Sequence, residues 1–164
     1  MKKSLPIVFN FWNPISQYFK KEIDFINEHI DIVSAFHCDF LGTKADWQNF
    51  LINYYALASD PPGNLKTVKV EEMRKKADYL SEFGYRFTTI IVDAKDDEFQ
   101  TVSSLGNPYE PKKVGYIKKK IRDKYNDMGY NKWAIAHCFE TYTSTNLIVE
   151  YIKENCKIEK IKIN

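Results

Sequence analysis

Of the three histidines in the chain, His137 is the best placed for acid–base or nucleophilic chemistry near neutral pH. It lies near the end of a predicted strand, and Glu140 follows three residues later. In open sheets covered by helices, ligands bind where strands end and helices begin. His137 is therefore a candidate catalytic residue, as nucleophile or general acid or base, and Glu140 could orient its ring. The alternative interpretation is a core histidine packed beside Trp133 and Ile135.

Candidate ligands for an anion lie on the basic helix predicted from about Lys112 to Asn126. Arg122 and Lys118 are one turn apart there, and two cations on one helical face can clamp a phosphate or carboxylate. Asn13, which precedes Pro14, marks a predicted strand-to-helix turn where an anion could meet a helix N-terminus. The alternatives are a solvated lysine-rich face for the helix and an ordinary cap for Asn13.

Other chemical motifs are weaker. His37 and His137 both precede a cysteine, and together with Asp39 they could form a metal site, although no close spacing supports it. The three cysteines are far apart and form no CxxC pair, which favours free buried thiols. The chain contains no GxGxxG, P-loop or GxSxG motif. We therefore predict no protein-bound metal.

Composition limits the class of protein. The chain has 164 residues, 44% of them hydrophobic, which is enough for the core of one domain spanning 1–164. The 24 Lys and Arg nearly balance the 22 Asp and Glu, so any basic binding site must be local. The apolar N-terminal run is too short for a signal peptide, and no stretch reaches transmembrane length. We expect a cytoplasmic protein that does not enter membranes.

Hydrophobic periodicity predicts that strands and helices alternate along the chain. Strands are predicted at 6–12, 31–41, 85–93, 133–139 and 158–163. Helices are predicted after Pro14, after Thr43, from Val70 to Gly84, over 112–126 and after Thr143 or Ser144. A helix pair therefore separates the second and third strands.

This order of elements resembles the nucleoside diphosphate kinase family. Leu105-Gly106-Asn107-Pro108 is similar to that family's nucleotide-gripping loop, Ile121–Tyr125 to its Ile-Arg-x-x-[Phe/Tyr] segment, and Ile135–Glu140 to its Ile-His-Gly-Ser-Asp segment. The resemblance implies an α+β, ferredoxin-like sheet. It also implies that His137 accepts a phosphoryl group, that Arg122 contacts the phosphates, and that Mg²⁺ would accompany a bound nucleotide.

The chain also departs from the family's pattern. The family's Lys-Pro-Asp after the first strand is Asn13-Pro14-Ile15 here, so its phosphate-binding lysine is absent. The asparagine three residues before the histidine is Ala134, and Gly-Ser-Asp is Cys138-Phe139-Glu140. Only His137 and Arg122 match the family's functional residues.

These observations give one preferred fold and three functions. We predict the ferredoxin-like α+β class, with a doubly wound, Rossmann-like parallel sheet as the alternative. The leading function is a divergent enzyme that binds a nucleotide or other phosphorylated small molecule and transfers or hydrolyses its phosphoryl group. The alternatives are a non-catalytic module that forms homo-oligomers, and RNA or DNA binding through the basic 112–124 helix.

Overall fold

The computed structural model describes residues 4–57, 65, 69–95, 99–101, 109–138 and 145–163. The strands are β1 (Pro6–Trp12), β2 (Asp31–Phe40), β3 (Arg86–Asp93), β4 (Phe99–Thr101), β5 (Tyr109–Pro111), β6 (Ala136–Cys138) and β7 (Cys156–Ile161). The α-helices are α1 (Phe19–Asn27), α2 (Lys44–Ala56), α3 (Val70–Ser81), α4 (Lys112–Asp127), α5 (Lys132–Ile135) and α6 (Thr145–Asn155), and a 3₁₀ turn (Ile15–Tyr18) precedes α1.

Five strands form the main sheet in the order β6-β1-β3-β2-β7, and every neighbouring pair is antiparallel. β1 connects through α1 to β2, but β3 lies between them; β3 leads through α4 to β6, but β1 lies between those two. This interleaving of two split β-α-β units defines the ferredoxin-like fold, with β7 as an added edge strand. The predicted α+β class is confirmed. The alternative of a doubly wound parallel sheet is wrong, because a returning strand separates each pair that a helix connects.

Helices cover both faces of this sheet, which explains the nearly continuous apolar sequence of β1. Phe9 and Phe11 pack in the cluster that includes α1 and α4. Val8 and Trp12 pack in the opposite cluster, with α2, α3 and α6. The Trp12 ring centroid lies 4.8 Å from that of Phe87, so β1 is anchored from both sides. Among the described residues, no helix combines the length and apolar character that crossing a membrane requires.

The helix predictions are confirmed at the apolar positions whose helical spacing predicted α2 and α4. The predicted apolar stripe of α4 is buried throughout, and the same holds for the stripe of α2: Val114, Ile117, Ile121, Tyr125, Trp47, Phe50, Leu51 and Tyr54. α3 ends three residues before Gly84, whose φ of +100° is the left-handed conformation that glycine adopts freely. The predicted edge strand at the C-terminal end is β7, and the three cysteines are free and buried.

The predicted fourth strand is too long at its start. The Asn131 side chain accepts a hydrogen bond from the Trp133 backbone N–H and begins the short helix α5, so the strand starts only at Ala136. This turn sends Trp133 outwards, where 67% of its surface is exposed. The interpretation that Trp133 and His137 share one buried face is therefore wrong, and Ile135 belongs to the cluster on the α1 and α4 side.

Between α1 and α4, a buried carboxylate holds the two helices together. Glu22 is only 2% exposed, and its Oε1 accepts hydrogen bonds from the Tyr125 hydroxyl at 2.7 Å and from Lys124 Nζ at 2.5 Å. Burial, with Glu22 adding to it, raises the pKa of Tyr125, so its hydroxyl stays protonated and donates to the carboxylate. The Glu22–Tyr125 hydrogen bond therefore connects α1 and α4, which are far apart in sequence and cover the same face of the sheet.

We expect Tyr125→Phe to lower the free energy of unfolding by about 1–2 kcal/mol, because a buried carboxylate loses one of its donors. Urea unfolding at pH 7 measures the change. Tyr116→Phe, on the exposed face of the same helix, is the matched control and should change stability by less than about 0.5 kcal/mol. Equal effects of the two changes would contradict the structural role of the Tyr125–Glu22 bond.

Candidate functional site

His137 lies in the middle of β6, at the edge of the sheet, opposite Asn10 of β1. Its neighbours Ala136 and Cys138 pack on the α1 and α4 side, so the imidazole faces α2 on the other side. There its ring centroid lies 4.3 Å from that of Tyr55. The residue is half-buried, and Nε2 is covered from solvent. The histidine therefore lies in a half-buried corner at the edge of the sheet, between β6 and the aromatic ring of Tyr55 on α2.

Arg122 reaches this corner from α4, on the opposite face of the sheet. Its Nε and Nη2 both donate to the carbonyl oxygen of Ala136, at 3.2 and 2.8 Å. An edge strand leaves such carbonyls outside the sheet ladder, so this contact also covers the edge. The guanidinium carbon lies 5.6 Å from the Trp133 ring centroid. Strand and ring together fix the direction of the guanidinium group.

Lys76, which the sequence did not single out, enters the same corner from α3. Its Nζ hydrogen-bonds to the Tyr55 hydroxyl, lies 4.5 Å from the Tyr55 ring centroid and donates to the Trp133 carbonyl at 3.4 Å. Burial, assisted by the nearby charge of Arg122, lowers the pKa of Lys76 to about 7. Burial also raises the pKa of Tyr55, so that hydroxyl stays protonated.

The charges converge on His137. Burial lowers its pKa well below the ordinary value, and the charges of Lys76, Arg122 and Lys118 lower it further. The imidazole is therefore neutral at pH 7 and can act as nucleophile, base or hydrogen-bonding group, but not as a general acid. Lys118 is half-buried and precedes Arg122 by one helical turn.

We call His137, Arg122, Lys118, Lys76 and Tyr55 the edge cluster. They come from α2, α3, α4 and β6 and gather where the antiparallel sheet ends. The pKa values of Lys76 and His137 are both lowered, as expected when groups that become cations are partly removed from water and crowded together. Such a group is stabilised by a multiply charged anion, because the anion offsets both burial and repulsion.

The remaining lysines of α4 are used differently. Lys119 pairs with Asp123 of the same helix at 2.6 Å, and Lys124 is the partner of buried Glu22. The basic run is therefore divided between the edge cluster, a structural ion pair and the solvated face, which periodicity alone could not separate. Nucleic-acid binding through this helix stays a prediction.

The Asn13 side chain makes its hydrogen bonds outside the edge cluster. Its Nδ2 donates to the Phe83 carbonyl at 3.2 Å, and its Oδ1 accepts from the Ser16 hydroxyl at 3.0 Å. The residue before the 3₁₀ turn is Pro14, and no side chain caps that turn, so the predicted cap by Asn13 is wrong. These contacts connect the turn after β1 to the end of α3. Glu140 lies outside the described residues, so its predicted role in orienting His137 stays a prediction.

The other histidines belong to separate surroundings. His37 is on β2, which two strands separate from β6, or about 14 Å at ordinary strand spacing. Its Nδ1 lies 3.0 Å from the Thr88 hydroxyl, and its ring meets that of Phe19 edge-on. His29 Nδ1 lies 2.9 Å from the Phe25 carbonyl oxygen. A joint metal site of His37, His137 and Asp39 is therefore not formed, and the described residues contain no cluster of three or more His, Cys, Asp or Glu that could hold a metal ion.

A signal for Lys76 was present in the sequence. Met73, Ala77 and Leu80 form the apolar stripe of α3, and Lys76 lies beside that stripe, one turn before Leu80. A lysine there must bury its stem, and it either extends its charge to solvent or has a reason to keep it inside. Tyr55 gave no comparable signal, because the aromatic positions around it already looked like core.

No protein-family model matches this chain, and no curated protein matches it. The crystal structure of an NDP kinase from Pyrobaculum aerophilum is similar, with 10% sequence identity and a TM-score of 0.44, over 91% of this chain and 95% of that one. The order predicted for the strands of the main sheet and the long helices is the order observed, whereas the two-stranded β4–β5 sheet and the short helix α5 were not predicted. At this identity and TM-score the likeness assigns no activity and no residue role, so function must be argued from the side chains themselves.

Proposed function

We propose that this protein binds the phosphate group of a nucleotide or other phosphorylated small molecule at the edge cluster. The observation that carries the proposal is the convergence of Arg122 and Lys76 on His137 from helices on opposite faces of the sheet. A phosphate offers several acceptor oxygens and up to two negative charges, which suits a planar guanidinium beside amine and hydroxyl donors. Lys118 adds charge from the same helix as Arg122.

The energetic argument is electrostatic. Partly buried cations that repel one another raise the free energy of the empty site, and a dianion between them removes that repulsion. Charge-assisted hydrogen bonds contribute roughly 1.5–3 kcal/mol each, so several of them, together with the relief of repulsion, are needed to offset the cost of association and give even millimolar binding. Arg122 is held in advance by Ala136 and Trp133, so little side-chain entropy is lost when the ligand binds.

His137 is the proposed reactive group. Its neutral imidazole can attack phosphorus, in which case the phosphoryl group moves to a ring nitrogen and the remainder of the ligand leaves with the bonding electron pair. Arg122 and the lysines would stabilise the charge on the transferred oxygens. If the ligand is a nucleotide, Mg²⁺ would come with its phosphates, since the described residues supply no ligand cluster of their own.

Thermal-shift titration tests binding, with inorganic phosphate, nucleoside phosphates and sugar phosphates as probes. A ligand at 100 times its Kd should stabilise the fold by about 2.7 kcal/mol, which raises Tm by roughly 5–10 °C in a chain of this size. His137→Ala should reduce that shift by about half. Lys119→Ala, on the exposed face of α4, should leave it unchanged. No shift with any probe, or an equal shift in all variants, would contradict the site.

The chemical step has its own measurement. Incubation with radiolabelled nucleoside triphosphate should give an acid-labile, base-stable phosphoprotein if His137 accepts the phosphoryl group, and His137→Ala should give none. Binding without any phosphoprotein or product would leave a phosphate-binding protein and would refute the transfer step. Label that persists in His137→Ala would show that another residue accepts the group.

A further inference from the structure

The surroundings of Lys76 differ from those of an ordinary half-buried cation. In the part of the chain that the structure describes, its Nζ contacts a phenol hydroxyl, the ring of that phenol and a backbone carbonyl, and no carboxylate lies within 4.0 Å. Neither Tyr55 nor the Trp133 carbonyl carries a charge that would balance an ammonium group. The site therefore holds the nitrogen by hydrogen bonds that suit both the amine and the ammonium form.

Hydrogen-bond counting shows what protonation would change. A neutral amine has two N–H bonds and one lone pair, so it can donate to the Trp133 carbonyl while its lone pair accepts from the Tyr55 hydroxyl. An ammonium group has three N–H bonds and no lone pair. Protonation then makes Lys76 the donor to Tyr55 and leaves a third N–H for an anion. The Tyr55 hydroxyl, which then accepts a hydrogen bond from Lys76, keeps its own proton and can donate it to another acceptor.

Resting on the phosphate-binding function proposed above, we propose that Lys76 takes up one proton when a dianion binds at the edge cluster, and that the site therefore selects dianionic phosphomonoester ends over monoanionic diesters. The proton comes from the buffer acid, and no bond to phosphorus is made or broken. Without a bound dianion, the ammonium form of Lys76 is disfavoured. When a dianion binds, the ammonium group gains a counter-ion and an acceptor for its third N–H.

The titration of Lys76 agrees with this geometry. Its pKa of about 7 in the ligand-free protein means that most molecules carry the neutral amine at pH 8. Among the described residues, the titratable and charged groups that face it are Tyr55 of α2, Arg122 of α4 and His137 of β6, and Lys118 of α4 acts on the same histidine. Tyr55 stays protonated and His137 stays neutral over this range, because burial moves their pKa values upwards and downwards respectively. Lys76 is thus poised to change its charge between pH 6 and 8.

Calorimetric titration of the full chain with sulfate tests the proton uptake, because sulfate is a dianion throughout this pH range. The binding heat is measured in two buffers of different ionisation enthalpy, which gives the number of protons bound per anion. Wild type should take up close to one proton at pH 8 and close to none at pH 6. Its affinity should fall about tenfold for each pH unit above 8.

Two variants separate this inference from the function on which it depends. Lys76→Arg stays charged at all these pH values, so it should bind sulfate without proton uptake, whereas Lys75→Arg on the exposed face of α3 should behave as wild type. Ethyl phosphate should bind at least tenfold more tightly than diethyl phosphate at pH 8.

Absence of binding by wild type to sulfate and to every phosphate probe would overturn the phosphate-binding proposal. Binding with equal uptake at pH 6 and 8, unchanged uptake in Lys76→Arg, or equal affinity for the two esters would overturn the role of Lys76 alone.

Discussion

Replacing Arg122 with alanine should weaken the binding of phosphate ligands by about 30- to 100-fold. The change removes a pre-oriented guanidinium group and its charge-assisted hydrogen bonds, roughly 2–3 kcal/mol of binding free energy. It also leaves the Ala136 carbonyl, which accepts two N–H bonds from this side chain, without that partner. Calorimetric titration with the best ligand from the thermal-shift screen measures the loss, with unfolding curves to show that the variant is folded at the titration temperature.

A charge-conserving variant shows whether geometry or charge matters. Arg122→Lys keeps the positive charge but has no planar guanidinium group to donate from Nε and Nη2 to the Ala136 carbonyl oxygen beside the Trp133 ring, so affinity should still fall by about tenfold. Arg74→Lys on α3, whose arginine pairs with exposed Glu71, is the matched control and should keep wild-type affinity. Wild-type affinity in Arg122→Lys would show that only the positive charge at this position matters for binding. Unchanged affinity in Arg122→Ala would show that Arg122 does not contribute to the phosphate site.

Replacing Lys76 with methionine should stabilise the ligand-free protein, most strongly at pH 6. The pKa of Lys76 is about 7 in the folded state against an ordinary 10.5, so between these values the unfolded chain binds more protons than the folded one. Stability therefore rises with pH across that window, and the full cost of charging the half-buried amine is present below pH 7. Methionine keeps the apolar stem and removes the cost. We expect a gain of about 2 kcal/mol at pH 6, after allowance for the solvent contact that remains.

Urea unfolding at pH 6, 8 and 10 measures this effect as the difference between the two proteins. The gain from Lys76→Met should shrink as pH rises and should almost vanish near pH 10, where the unfolded lysine also begins to lose its proton. Lys75→Met, one residue away on the exposed face, should shift stability by less than about 0.5 kcal/mol at every pH. Parallel stability curves for wild type and Lys76→Met would show that Lys76 is charged in the folded protein as in the unfolded one.

The two edges of the main sheet bear on the alternative of an oligomeric interaction module. β6 is short and partly covered by Arg122, and β7 carries exposed Lys157 and Lys160. Short and charged edge strands disfavour the pairing of sheets between molecules. A homo-oligomer that extends the sheet is therefore less favoured by this structure than contact through a helical face, and the oligomeric state stays a prediction to be measured by sedimentation.

The sequence by itself determined the strands and long helices of the main sheet, but not the short elements β4, β5 and α5. The apolar stripes of α2 and α4 and the buried run of β1 follow from periodicities that depend only on local geometry. It also singled out His137 and Arg122, because their residue types and their place within and before the predicted fourth strand suggested an anion site. The antiparallel order of the strands needed the resemblance to a known family, since alternating strands and helices also suit a parallel sheet.

Only the tertiary structure decided which side chains meet at the sheet edge. Lys76 and Tyr55 lie 61 and 82 residues before His137, on helices whose faces periodicity assigns to core, and no local pattern brings them to that strand. The cap by Asn131 turned Trp133 outwards and so created the surface on which Arg122 rests. The lowered pKa of Lys76 is likewise a property of its packing, because a titration shift depends on burial and on charges brought together by the fold, and neither is encoded in neighbouring residues.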